Sequence, residues 1–165
     1  MSVYSVIFSP TGGTKKVADL FASAFADEYK EVDMTDACFE GYSFEKNDIC
    51  IVSVPSFGGR VPAKAAARME NLSGNGAKAV LVAVYGNREF EDTLVEMQDI
   101  MENAGFVPVA ALAALAEHSI IRTFAAGRPD ENDAKVLADC AMLVKEKLQN
   151  FVEEKEKFVL LQLKC

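Results

Sequence analysis

The segment Ser9-Pro10-Thr11-Gly12-Gly13-Thr14-Lys15-Lys16 gathers three hydroxyls, two glycines and two lysines in one short turn. The apolar run Val3-Tyr4-Ser5-Val6-Ile7-Phe8 precedes it, and Val17-Ala18-Asp19-Leu20-Phe21 follows with helical spacing. A turn between strand and helix needs one capping residue; this one carries several candidates. The start of a helix has unpaired N–H groups and partial positive charge, which together attract an anion. Gly12 and Gly13 let the backbone approach that anion closely, and Ser9, Thr11 and Thr14 supply hydroxyl donors. The chemistry offered is that of a phosphate cradle, although the spacing is neither G-x-x-x-x-G-K-[ST] nor G-x-G-x-x-G. The alternative is a polar N-cap with Thr14 or Thr11 as the capping residue. Lys15 and Lys16 either neutralise phosphate charge or are solvated.

Two further loops carry unusual residues. Pro55-Ser56-Phe57-Gly58-Gly59-Arg60-Val61-Pro62 follows the apolar run at 48–54, and Tyr85-Gly86-Asn87-Arg88-Glu89-Phe90 follows that at 79–85. The elements that must position these loops alternate along the chain. Strands are predicted over 3–8, 29–32, 48–54, 79–85 and 106–115, and the stretch 33–47 reads as a loop or a clipped helix. Helices are predicted from Thr14, over 63–71, from Phe90 through Leu94, Met97, Met101 and Ala104 to a stop at Gly105, and from an N-cap at Asp130. Strands separated by helices imply an α/β fold with a doubly wound five-stranded parallel sheet. Ligands of such sheets bind beyond the carboxyl ends of the strands, where strand order reverses. All three loops fall at that edge.

The chain has 165 residues, half of them hydrophobic, which suits one globular domain. Its start lacks the pattern of a secretory signal and its apolar runs are short for a membrane span, so a cytoplasmic location is expected. A formal charge of −8 argues against nucleic acid and anionic membranes as partners. The same charge suits docking with basic proteins. Four cysteines without C-x-x-C spacing, and one histidine, predict no metal site.

Ser9-Pro10-Thr11-Gly12-Gly13-Thr14 resembles the T/S-x-T-G-x-T loop with which flavodoxins grip the phosphate of FMN. The segments "VYGNREFEDTLVEM" and "EHSIIRTFAAGRPDENDAKVLADCA" resemble the flavodoxin domain that precedes a two-cluster ferredoxin domain in some bacterial and archaeal fusion proteins. The resemblance covers most of the chain and implies a flavodoxin-like sheet of order 2-1-3-4-5 over residues 1–152. It implies FMN as cofactor, with Ser9, Thr11, Gly12, Gly13 and Thr14 at the phosphate. Pro55, Ser56, Phe57, Gly58 and Gly59 would run along one side of the ring, with Tyr85, Gly86, Asn87 and Arg88 along the other. Phe57 stands where the family often has a tyrosine; it either faces the flavin or packs in the core. In flavodoxins a glycine peptide in this loop can turn its carbonyl toward the flavin, and Gly58 is the residue at that place.

Arg88 either lies near the flavin, where a cation raises the potential of the reduced form, or pairs with Glu89, Glu91 or Asp92. His118 reads as a structural histidine rather than a catalyst, although the resemblance, which includes Glu117-His118-Ser119, leaves a place near the flavin open to it; no catalytic residue is assigned. The fused relatives continue into a ferredoxin domain, whereas this chain ends in a charged then apolar tail over 153–165, which either packs back onto the sheet or a helix or forms an interface. An iron–sulfur partner is therefore expected in trans. The leading expectation is an FMN-binding electron-transfer protein serving redox partner proteins. A flavin-dependent NAD(P)H:quinone-type reductase, for which the tail would supply a homodimer contact, and a binding module without flavin are the alternatives.

Overall fold

The computed structural model describes residues 1–86, 89–150 and 159–162, the last four as backbone. The expectations for Asn87 and Arg88, and for the rest of the tail, lie outside the described residues. The elements in chain order are β1 (Val3–Ile7), α1 (Gly13–Phe25), β2 (Lys30–Asp33), β3 (Tyr42–Ser43), β4 (Ile49–Pro55), α2 (Ala63–Met69), β5 (Leu72–Ser73), β6 (Lys78–Tyr85), α3 (Thr93–Asn103), β7 (Val107–Leu115), α4 (Glu131–Gln149) and β8 (Val159–Gln162).

All seven residues of β4 are buried, which is why this segment is apolar on both faces apart from Ser53. Cys50, Val52 and Val54 pack with Met69 of α2 and with Leu94, Met97 and Met101 of α3. Ile49 and Ile51 pack on the other face with Val17, Phe21 and Phe25 of α1 and with Leu137 and Val144 of α4. Two helical layers thus cover the sheet, and the chain crosses between parallel strands through them. The order is β2-β1-β4-β6-β7, with every neighbouring pair parallel. This is the predicted doubly wound five-stranded sheet of order 2-1-3-4-5. β8 extends it by a further parallel strand against β7, pairing Ala110–Ala113 with Val159–Gln162. Strand order reverses between β1 and β4.

Two local expectations are corrected. The predicted loop over 33–47 contains β3, which pairs with β5 in a separate two-stranded sheet. Phe44 anchors it, its ring 5.0 Å from that of Tyr4 and 5.5 Å from that of Phe106. The third helix begins at Thr93 rather than at Phe90. Phe90 instead packs against Tyr85 with ring centroids 5.4 Å apart, and the Asp92 N–H donates to the carbonyl of Gly59 at 3.1 Å. Those contacts draw 89–92 out of the helix and into the loop edge. Asp130 caps α4 as predicted, accepting from the amides of Asn132 and Asp133, while the Asp133 carboxylate accepts from the Asp130 N–H.

Ser5 and Ser53 are fully buried on β1 and β4, and neither hydroxyl has a hydrogen-bond partner among the described residues. An unpaired buried hydroxyl costs stability, so its removal relieves rather than weakens the core. Ser53→Ala is expected to unfold at the same or a higher urea midpoint than the wild type. Phe21→Ala, which empties a fully buried site, should lose about 3–5 kcal/mol in the same denaturation series.

Candidate functional site

The loop after β1 ends in Gly12, which occupies the N-cap position of α1 with no side-chain cap of its own. Neither Thr11 nor Thr14 caps the helix, contrary to the capping alternative. Ser9 does part of that work: its Oγ accepts from the Lys15 N–H at 3.0 Å, and its own N–H donates to Thr35 Oγ1 at 2.7 Å. The first helical bond runs from the Lys16 N–H to the Gly12 carbonyl at 3.2 Å. The amides of Gly13 and Thr14 are left over, with no acceptor among the described residues. The Lys15 ammonium pairs with Glu31 and with Asp19, the latter at 3.3 Å. Glu31 is the main cause of the raised Lys15 pKa, which partial burial opposes. Its charge is thereby spent on carboxylates of this chain.

The loop after β4 is a tight hairpin. Phe57 and Arg60 exchange backbone hydrogen bonds of 3.0 and 3.2 Å across Gly58 and Gly59, whose φ values are 60° and 77°. Two consecutive left-handed residues make a type I′ turn, which the Gly-Gly pair adopts without strain. The hairpin is fastened to α3 and the segment before it. Ser56 Oγ and Thr93 Oγ1 lie 2.7 Å apart, and the Gly59 carbonyl is held by the Asp92 N–H. Glu96 accepts from the Val61 N–H at 2.9 Å and from Arg60 Nε at 3.1 Å. Phe57 rides on this clamped turn with 47% of its surface exposed. It is not in the core, as the alternative reading of that residue had it.

The loops after β6 and β7 meet. Gly86 lies so close to His118 that a Cβ there would fall 2.7 Å from the imidazole Cδ2. The segment after β7 folds on itself through bonds from the Glu117 N–H to the Arg128 carbonyl and from the His118 N–H to the Phe124 carbonyl, at 3.0 and 3.1 Å. Glu117 Oε2 accepts from the Gly127 N–H at 2.9 Å.

The carboxyl ends of β1, β4, β6 and β7 together form a cleft of about 360 Å³. Of the residues singled out in the sequence, Thr11, Gly13, Thr14, Pro55, Ser56, Phe57, Gly58, Gly59, Tyr85 and Gly86 line it. Ser9 and Gly12 belong to the same loop, the first accepting from the Lys15 N–H and the second at the N-cap of α1. The sequence reading assigned no site role to Val84, Ala116, Glu117, Ser119 and Ile120, and left His118 between a structural role and a place near the flavin; all six line the cleft, as does Glu89. The signal available for the β7 loop was the resemblance over Glu117-His118-Ser119. Among the described residues no cluster of His, Cys, Asp and Glu could hold a metal, and no helix is long and apolar enough to cross a membrane.

No protein-family model matches the chain, and no curated protein matches it. Solved structures do. A flavodoxin from Streptococcus pneumoniae TIGR4 aligns with a TM-score of 0.60 at 19% identity, covering 89% of this chain and 99% of that one. Flavodoxin 2 from Bacillus cereus aligns with a TM-score of 0.57 at 18% identity over 89% and 99% of the two chains. An NADH:FMN oxidoreductase, EmoB, in its apo form reaches 0.60 at 13% identity over 93% and 92%. At these identities the likeness is one of architecture, and it makes the fold flavodoxin-like.

Proposed function

We propose that the protein binds FMN in this cleft and carries electrons between redox partner proteins. The observation that carries the reading is the meeting of two unlike features in one cleft. Two helix amides with no acceptor among the described residues and the Thr11 and Thr14 side chains suit a phosphate, and an exposed phenylalanine on a clamped turn suits a planar aromatic ring. A phosphorylated aromatic ligand needs both, and FMN has that chemistry. The amides of Gly13 and Thr14 would hold the phosphate, and Phe57 would cover a face of the ring and exclude water from it. FMN, when bound, supplies the one- and two-electron chemistry; the side chains around it set its environment. Glu117 is engaged in closing the β7 loop rather than offered to a substrate, which favours a carrier. The exposed apolar pair Phe57 and Ile120 at the cleft supports a second reading, a nicotinamide-dependent flavin reductase with room for a second ligand over the ring.

Addition of FMN to the purified protein should quench flavin fluorescence with one-to-one stoichiometry, and unquenched flavin would overturn the reading. Anaerobic reduction of the complex separates the two roles: two resolved one-electron steps belong to the carrier, and a single two-electron step to the reductase.

Replacing Thr11 and Thr14 together with alanine removes two donors to a charged group. The expected loss of FMN affinity is on the order of 100-fold, with riboflavin affinity nearly unchanged. Equal losses for both ligands would remove the phosphate from this loop.

The clamp on the Phe57 turn is pH-dependent. Arg60 holds the Glu96 carboxyl below its ordinary value of 4.5; partial burial opposes the shift and the Val61 N–H adds to it. A depressed carboxylate contributes where it is ionised, so the clamp is constant above 4.5 and is lost as pH falls below that value. The Val61 amide resonance should therefore stay level from about pH 8 to about pH 5 and move only at lower pH. In Glu96→Gln that movement should be absent; an inflection near neutrality in the wild type would contradict the assignment.

A further inference from the structure

We propose that His118 is a ligand-binding residue, donating the proton on its Nε2 to an acceptor atom of the flavin nucleotide while its Nδ1 holds the loop that carries it. The inference rests on the flavin reading above. His118 Nδ1 accepts from the N–H groups of Ile120 and Ile121, at 3.1 and 3.0 Å. A ring nitrogen that accepts two amide protons carries none itself, so the proton of the neutral imidazole is assigned to Nε2. No acceptor among the described residues takes that proton. His118 is nevertheless one of the residues that line the cleft.

The placement of the ring is set by its surroundings before any ligand arrives. Cδ2, bonded to Nε2, lies against Gly86, and a Cβ at that position would also fall 2.9 Å from the His118 Cα and Cβ. The Phe124 ring stands edge-on at 6.4 Å. The His118 N–H is tied to the Phe124 carbonyl, and the base of the loop is closed by the Glu117 N–H on the Arg128 carbonyl. One side of the imidazole is thus consumed in building a turn, and the Nε2 proton of this cleft-lining residue has no acceptor among the described residues. A fixed donor gains a hydrogen bond without the entropy cost of ordering its side chain, which is how preorganised sites gain affinity. The same cleft is lined by Gly13 and Thr14, whose amides have no acceptor among the described residues.

The two nitrogens can be tested apart. Asparagine at 118 keeps an acceptor oxygen near the place of Nδ1 and removes the Nε2 donor. Glutamine keeps an N–H donor near the place of Nε2 and removes the acceptor. FMN affinity is read by fluorescence quenching, and the melting temperature of the unliganded protein by circular dichroism. His118→Asn should bind FMN about tenfold more weakly at an unchanged melting temperature, and His118→Gln should bind more tightly than His118→Asn. Wild-type affinity in His118→Asn overturns the inference, because it assigns the ring to the turn alone. Should His118→Asn lower the melting temperature, the order of the two variants decides, and His118→Gln binding no better than His118→Asn overturns it as well. A wild-type protein that takes up no FMN overturns the flavin reading itself, an outcome distinct from equal binding by wild type and variant.

Discussion

A strand buried along its whole length must be covered on both faces, and β4 is such a strand. Helices on both faces require the chain to return through a crossover after each strand, which makes neighbouring strands parallel and brings their carboxyl ends to one edge. The loops after β1, β4, β6 and β7 are far apart in sequence yet share that edge because of this constraint. The reversal of strand order between β1 and β4 then parts the loop of α1 from its neighbours and leaves a cleft. The site is a consequence of how the core is covered, and the polar residues of the loops decide only what the cleft holds.

In the loops around the cleft the polar groups divide into those used by the fold and those left over. Ser9, Lys15, Arg60, Glu96 and Glu117 satisfy one another or the backbone and so fix the loops. The amides of Gly13 and Thr14 and the Nε2 side of His118 are not used in that way. Phe57 is the apolar counterpart, held by a turn whose own bonds are complete but exposed over nearly half its surface. A buried or half-buried donor without a partner is disfavoured by its lost hydration. Several of them beside one exposed aromatic ring give the cleft a defined complement.

The fold was legible in the sequence wherever local chemistry and burial agree. The apolar strand at 48–54, the Gly-Gly turn after it and the Asp130 cap each follow from residues close together in the chain. The legible part of the site lies in the three loops whose turn chemistry is local, and those loops do converge on the cleft. Less was readable where a residue acts through distant partners. Phe90 has helical spacing with Leu94, but its contact with Tyr85 and the bond from Asp92 to Gly59 remove it from the helix. Ser9 was legible as a hydroxyl donor of the loop, but not as the acceptor of the Lys15 N–H that braces the start of α1. His118 has two roles on opposite sides of one ring, and only the fold brings Gly86 against it. β3 and β5 are two residues each, too short for any periodicity to register.

The charge of the protein bears on both sides of the proposed role, over different distances. The acidic surface acts through a field that ionic solution screens beyond about 8–10 Å. An anion at the start of α1 meets backbone dipoles at hydrogen-bond range; of the two lysines there, Lys15 is paired with Glu31 and Asp19 and Lys16 is exposed to solvent. Dipoles add no net charge, so a phosphate can be held without a basic patch that would cancel the field around the cleft. Were the cradle built on free lysines, tight phosphate binding and attraction of basic partners would compete for the same local potential. With amides and hydroxyls in that place, an acidic protein can hold an acidic ligand and still present a negative face to what docks beside it.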